Sequence, residues 1–306
     1  MRQRNRSDFN PAPSSASLPA RVAVGVWAFA RADPVAFAAL LTLASIVSMA
    51  LLADVIATHD PVEQDVARRL TPPGPDNYFG ADGFGRDVFS RVVHGSRTSL
   101  YVGLLAVGIA SVTGVGLGAL SAYWGGLFDL VVQRAVDTLL GFPMLVLALI
   151  MVVALGPSAN SVVAALAVAM APQITRLSRA GALQVREELY MDAAVVIGAP
   201  AHRIVLRHLL PNSFPPALAQ VTGYFGAAVV AETALSFLGL GTPPPAPSWG
   251  RMLEEGSRQY FEAAPWATVF PGLMLTLTVL SSAILGDALR DWLDPRSGVG
   301  RGGNLD

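Results

Sequence analysis

An all-α, polytopic membrane protein with six transmembrane helices is what the sequence predicts. Three observations carry that expectation: an apolar composition, apolar residues gathered in blocks of bilayer length, and arginines spread unevenly around those blocks. Of the 306 residues, 53% are hydrophobic and only 14% charged, with a mean hydropathy of +0.50. A soluble domain of this length needs more charge to keep its surface wetted. The formal net charge of −1 gives no basic field for nucleic acid, so no nucleic-acid partner is expected.

Six segments approach the ~20 apolar residues that span a bilayer. The first covers residues 35–53 and follows Asp33-Pro34, an N-cap and first-turn pair. The others cover 100–123, 138–155, 159–175, 217–238 and 268–286. Within the second, Gly114 and Gly118 form G-x-x-x-G, a spacing that lets another backbone approach; packing inside the same chain is the favoured use. Ahead of the first span, 1–20 is polar and rich in Pro and Ser and is expected to be disordered. Residues 22–30, bracketed by Arg21 and Arg31, are expected as a short helix on the membrane surface.

Arginine placement sets the expected orientation. With the N-terminus inside, the cytoplasmic side collects Arg2, Arg4, Arg6, Arg21 and Arg31, then Arg134. Arg176, Arg179, Arg186, Arg203, Arg207, Arg290, Arg296 and Arg301 fall on the same side. The arginines assigned outside, among them Arg86, Arg91, Arg97, Arg251 and Arg258, fall in two long loops. Both termini are therefore expected in the cytoplasm of a bacterial cell, with the chain in its plasma (inner) membrane. In the first outer loop the stretch 86–101 has the pattern of an interfacial amphipathic helix; in the second, Trp249 and Trp266 suit interface anchors.

The chain has no cysteine and no lysine. The first absence rules out disulfides, thiolate nucleophiles and cysteine metal sites. The second rules out a Walker A site, whose lysine binds the β- and γ-phosphates. No catalytic residue, cofactor or metal is therefore expected in this chain, and any ATP-driven activity must come from a partner. His59, His94, His202 and His208 lack metal-ligand spacing.

The segment at about 176–211 is too polar to enter lipid yet carries few turn signals besides Gly198 and Pro200. Before Gly198, Leu183, Val185, Leu189, Ala193, Val196 and Ile197 alternate with Arg186, Glu187, Glu188 and Asp192 in an amphipathic helical pattern. After Pro200, residues 202–210 read as a second short helix ended by Pro211. Two short helices joined by a glycine elbow make a rigid knob, suited to passing a partner's motion into the spans.

Asp192-Ala193-Ala194, then Gly198, then Leu210-Pro211 resembles the EAA loop of binding-protein-dependent ABC importer permeases, with aspartate in place of the usual glutamate. His59-Asp60-Pro61, Gly85-Arg86-Asp87, Ser90-Arg91 and 207–212 resemble the dipeptide, oligopeptide and nickel permease group, second or C-type subunit. So do 232–241, Pro247-Ser248-Trp249-Gly250 and Phe270-Pro271-Gly272. The resemblance implies a type I ABC importer permease fold, with 1–34 a cytoplasmic tail and surface helix and 35–96 the first span and outer loop. It makes 97–290 the transporter domain and 291–306 a cytoplasmic tail. It implies a homologous second permease, two ABC ATPase subunits carrying ATP and Mg, and an extracytoplasmic substrate-binding protein. It also implies that Glu188, Asp192, Ala193, Ala194, Gly198, Leu210 and Pro211 belong to the ATPase-coupling loop, and it points to di- or oligopeptides as cargo.

Glu232 is the one carboxylate placed within an apolar span, hence a candidate translocation-path residue, with a structural anchor near Arg97 as the alternative. Nickel or another small solute is the alternative cargo. Two other classes are remote. An intramembrane hydrolase lacks a histidine in any span to activate Ser158, and a stand-alone secondary transporter lacks a visible inverted repeat.

Overall fold

A computed structural model of the chain describes residues 30–31 and 33–293. The expected tails and the surface helix at 22–30 lie almost wholly outside the described residues. Among those described, the secondary structure is helical, with a single isolated β-bridge between Ala81 and Asp87.

The first helix, α1 (Pro34–Leu51), begins where Asp33-Pro34 predicts: Asp33 Oδ1 accepts from Ala36 N at 3.1 Å, and the proline takes a position that needs no N–H. A short turn, Ala53–Ile56, follows. The second helix, α2 (Val88–Trp124), runs unbroken for 37 residues, or about 55 Å, against a hydrocarbon thickness of ~30 Å. It is therefore longer than a bilayer core is thick. The stretch 86–101 is not an interfacial helix: Val88, Val92 and Val93 are buried inside the protein, and so are Arg86 and Arg91. Val88 and Val92 pack with Met252 and Ala267.

The third expected span is broken. Helix α3 (Gly126–Leu140) and α4 (Met144–Leu155) meet at 92°. The cause is Phe142-Pro143: proline offers no N–H, and the residue before it is pushed out of helical geometry. Helix α5 (Ala159–Arg186), capped by Ser158, continues eleven residues past the expected end of the fourth span. Then come α6 (Leu189–Val196), α7 (Ala201–Ile204), a π turn (Val205–Leu209), α8 (Leu210–Phe237), α9 (Trp249–Gln259) and α10 (Trp266–Leu293).

Helices α1, α2, α5 and α10 are long and apolar enough to cross a membrane, and α3 with α4 makes a fifth if the bent pair is one span. Helix α8, the remaining expected span, has 28 residues. It is interrupted by Gln220, Thr222, Tyr224, Glu232, Thr233 and Ser236, and composition alone does not single it out. It nevertheless packs against α2, α5 and α10.

The most extensive contact joins α2 to α5, and Gly114 and Gly118 explain it. A Cβ at Gly114 would lie 2.8 Å from Ile174 Cβ, and one at Gly118 would lie 2.6 Å from Thr175 O and 2.8 Å from Arg179 N. The G-x-x-x-G pair thus serves packing within the chain. Because backbone atoms crowd Gly118, Gly118→Ala must push the two helices apart. We expect it to cost about 1–3 kcal/mol, read as a lower unfolding temperature in detergent. An unchanged midpoint would contradict this packing.

Candidate functional site

The EAA-type loop is built on the end of the α2–α5 pair. Arg186, the last residue of α5, donates from Nη1 to Ala122 O at 2.8 Å and ties the two helix ends together. Nearby, Asp129 of α3 receives Arg179 Nε at 2.6 Å and Nη2 at 2.5 Å, and Asp137 receives Arg176 at 2.5 Å. Ser121 of α2 also bonds Asp129, and Gln133 bonds Ser121 at 3.1 Å. This strap holds α3 across the base of the loop.

Helix α6 has eight residues and buries only two, Met191 and Ala194, spaced i and i+3 on one face. They enter a cluster with Ala119 and Ala122 of α2, Ala182 of α5, and Ile204, Val205 and Leu209. The small side chains of α2 and α5 let α6 sit close to both. Everything else on α6 faces outward. Leu189 is 85% exposed, Val196 84% and Ile197 81%, flanked by exposed Glu187, Glu188 and Asp192. Contiguous apolar surface of this kind on an otherwise anchored element marks an interaction site.

Gly198 makes the elbow. Its φ is +73°, its N–H donates to Val195 O at 2.9 Å, and Ala199 N donates to Ala194 O at 3.1 Å, closing the C-terminus of α6. Pro200 then opens α7. Of the expected coupling residues, Glu188, Asp192, Ala193 and Gly198 are exposed, Ala194 is a buried seat, and Leu210 is half-buried beside it. Pro211 does not end the second short helix, as the sequence suggested. The backbone stays helical from Ala201 through the π turn into α8. A proline ring clashes with the carbonyl four residues back in a regular α-helix, and a π turn just upstream is the local widening that absorbs such a clash. The knob is therefore rigidly continuous with α8 on one side and, through Glu187 and Glu188, with α5 on the other.

Glu232 sits far from this loop. It is 1% exposed: Ser236 donates to Oε1 at 2.7 Å, and Ser99 of α2 donates to Oε2 at 3.2 Å. Trp249 N reaches the same Ser99 hydroxyl at 3.4 Å, and Trp249 Nε1 donates to Val92 O at 3.0 Å. The carboxylate thus joins α2, α8 and α9 in one buried polar node. Trp249, expected as a membrane-interface anchor, is fully buried here because its indole N–H finds a backbone carbonyl. Trp266 Nε1 likewise reaches Ala81 O at 3.0 Å. Arg97 does not meet Glu232. It donates to Ala50 O at 2.6 Å and Leu51 O at 3.1 Å, satisfying the open end of α1, and forks onto Asp54 at 2.9 and 2.8 Å. Those Arg97 hydrogen bonds are the main cause holding the Asp54 carboxyl below the usual carboxylate range.

A second buried network at this end was not legible in the sequence. Asp82 Oδ2 accepts Arg86 Nε at 2.6 Å, while Arg86 Nη2 reaches Glu255 Oε2 of α9 at 2.5 Å. Arg251 Nε meets Glu255 Oε1 at 3.0 Å. Arg91 lies 3.7 Å from Asp82 and 3.5 Å from Glu255, and bonds Pro61 O at 3.0 Å. Burial works against the Arg86 guanidinium, but the two carboxylates outweigh it and raise its pKa. Burial, with Asp82 and Glu255 close by, pushes the Tyr260 hydroxyl up to about 12. The 57–87 loop is thereby bolted to α9, and Phe79 stacks on Phe270 of α10 at 3.8 Å.

Comparison with known proteins agrees with this architecture. The family described as binding-protein-dependent transport system inner membrane component matches residues 114–299. The N-terminal TM domain of oligopeptide transport permease C matches residues 25–73. A dipeptide transport system permease protein of Alkalihalophilus pseudofirmus is 39% identical over 266 residues, 87% of each chain. A putative peptide transport system permease protein of Brucella suis is 42% identical over 257 residues, 84% of this chain and 86% of that one. A probable D,D-dipeptide transport system permease protein of Escherichia coli is 37% identical over 273 residues, 89% of this chain and 91% of that one. Among solved structures, the MetNI methionine ABC transporter in an inward-facing conformation superposes with a TM-score of 0.54 at 19% identity. That match covers 67% of this chain and 96% of the other, and shows the type I ABC importer permease fold. The chain belongs to the family of inner-membrane components of binding-protein-dependent transport systems, in the group whose relatives are dipeptide and peptide permeases.

Proposed function

We propose that this chain is one of two homologous membrane subunits of an ATP-driven importer for di- or oligopeptides. Its EAA-type loop seats on a separate ATPase subunit, two of which hold the ATP and Mg, and an extracytoplasmic binding protein delivers the cargo. The observation that carries the reading is α6: an exposed apolar and acidic surface on an element anchored rigidly to α2, α5 and α8. A groove in a partner gains that apolar surface on docking, and the anchoring passes the partner's motion into the spans instead of absorbing it. The names of the relatives supply the peptide cargo. This arrangement puts the EAA-type loop and both termini in the cytoplasm, and the 57–87 loop and α9 outside.

Glu232 acts in this reading as the pin joining α8 to α2 and α9. It is closed from solvent in this conformation, so it meets a translocation path only if α8 and α2 part. The test is gentle purification of the tagged subunit from native membranes, followed by uptake in proteoliposomes. We expect a second permease and P-loop ATPases to accompany the chain, and ATP-dependent uptake of di- and tripeptides. Recovery of the chain alone would sink the importer reading. Uptake that ignores peptides but follows a metal chelate or a sugar would remove the peptide assignment alone.

A further inference from the structure

Two amide side chains, Gln173 of α5 and Gln220 of α8, are exposed on helices that otherwise form the heart of the bundle. They stand at the same level. Helices α5 and α8 are joined through the EAA-type loop and pack on each other, and a Cβ at Gly181 of α5 would lie 3.3 Å from Ser213 O of α8. Leading away from the loop, Gln173 is eight residues from Gly181 and Gln220 is seven from Ser213. Both amides therefore sit about 10–12 Å beyond that contact. They also share a direction. Thr175 and Ser178 of α5 face Gly118 of α2, and at about 100° per residue Gln173 falls on the opposite side. Phe225 and Val229 of α8 face Gly103 of α2, and Gln220 again falls opposite.

The pair thus lines one groove between α5 and α8, turned away from α2. The groove is closed at the end far from the loop. Leu166, two turns before Gln173 on the same side of α5, is 0% exposed and clusters with Ala148 and Val152 of α4, which also touches α8. Toward the loop that cover ends, because α3 leaves the line of α4 by 92°. Along α8, Gly223 and Ala227 continue the exposed face, and no atom lies within 4 Å of a Cβ built at Gly223. Glu232 is not part of the groove, since it bonds Ser99 of α2 on the other side of α8. We propose that this groove is the loop-side half of the translocation path, where Gln173 and Gln220 hydrogen-bond the main chain of the passing peptide. The proposal rests on the importer reading above.

Lipid tails offer no hydrogen bonds, so an amide turned toward them is costly, whereas one lining an aqueous path is satisfied. A homologous second permease presents an equivalent groove, and two grooves face to face enclose a channel. Gly223 and Ala227 have the small-residue spacing that lets such walls approach. A glutamine amide carries the same donor and acceptor as a peptide bond and no charge, so it grips a main chain whatever its side chains. Tyr224, one turn beyond Gln220, hydrogen-bonds it and restrains its swing. Helices α5 and α8 are also the two that leave the EAA-type loop, so a partner's motion there moves both walls of the groove together.

The assembled importer in lipid nanodiscs, with its own binding protein, provides the test. Gln173→Cys and Gln220→Cys each give this cysteine-free chain a single thiol, whose reaction with a charged methanethiosulfonate is read as a mass shift of this chain. Without nucleotide, both should react about tenfold or more faster than Leu280→Cys, an exposed apolar position of α10. Trapping the ATPases with vanadate should then protect them, because closing the walls shuts the groove. Reaction no faster than at position 280 would overturn the proposal, assigning the groove to lipid or to tight contact with the second permease. A rate unchanged by trapping would also overturn it, placing the amides at the membrane surface. The cargo arm uses trialanine in proteoliposomes. Gln173→Leu with Gln220→Leu should lower its maximal uptake about tenfold, as expected for two lost hydrogen bonds. The binding-protein concentration giving half-maximal uptake should not move, since docking lies elsewhere. Native maximal uptake by the double variant would overturn the role of the amides and leave the importer reading intact. A native complex that hydrolyses ATP yet moves no trialanine would remove the peptide assignment and the amides' role together.

Discussion

Gly198→Pro should leave the subunit inserted, assembled and nearly as stable as the native chain, yet reduce ATP-driven uptake by more than tenfold. Position 198 has φ of +73°, and proline is locked near −65°. The substitution also deletes the Gly198 N–H that closes α6 on Val195 O. The residue before a proline is driven out of helical geometry as well, and Ile197 sits at φ −76°, ψ 4°. Together these changes must re-aim α6 relative to α7, turning Leu189, Val196 and Ile197 away from their present surface. The bundle itself has no reason to suffer, since no atom lies within 4 Å of a Cβ built at Gly198. That open space also separates geometry from bulk. Gly198→Ala adds a methyl group that touches nothing and carries only the left-handed backbone penalty of about 1 kcal/mol, so it should retain most of the uptake. Parallel uptake and thermal unfolding of the two variants is the measurement. Normal uptake by the proline variant would show that the elbow does not set the coupling geometry.

The parts of this molecule that could be read from the sequence are those whose causes are local. Asp33-Pro34 announces the start of α1, because a cap and a first-turn proline act within four residues. Gly198 announces the elbow, because positive φ is a property of one residue. Apolar blocks announce α1, α2, α5 and α10. What failed to show depends on partners distant in sequence. Arg86 and Arg91 looked like the polar face of a helix on the membrane surface, yet they are buried because Glu255 stands 169 positions later on α9. Trp249 looked like an interface anchor because nothing local reveals that Val92 O waits for its N–H. The sequence did not mark Phe142-Pro143 as a break in the expected span 138–155, because whether a proline kinks a span or folds it by 92° depends on what holds the other arm. Here the holding pairs are Asp129–Arg179 and Asp137–Arg176, across two helices. Pro211 was misread for a related reason: the π turn before it is a collective adjustment that no single residue encodes.

Glu255→Ala should be the most damaging single change outside the spans. Glu255 is 6% exposed and faces Arg86 at 2.5 Å, Arg251 at 3.0 Å and Arg91 at 3.5 Å. Removing it leaves Asp82, among the described residues, as the one carboxylate in contact with two buried guanidinium groups. Breaking a buried pair in this way costs about 3–5 kcal/mol, because an uncompensated charge stays inside. The loss falls on a defined place, since Glu255 is the ionic tie between α9 and the 57–87 loop, leaving Trp266–Ala81 and Phe79–Phe270 as the nearby contacts. We therefore expect faster proteolysis near residues 72–76 and a lower unfolding temperature in detergent. The α6 surface should survive, because its seat on Ala119, Ala122 and Ala182 lies at the other end of α2. The paired change Arg86→Met with Glu255→Leu sharpens the argument: replacing both charges by apolar groups of similar volume should cost less than Glu255→Ala alone. If the single variant costs under about 1 kcal/mol, solvent already reaches this network and it behaves as a surface ion pair. If the double variant is the worse of the two, the network's worth lies in its hydrogen bonds to Asp82 and the loop backbone, and not in balancing charge.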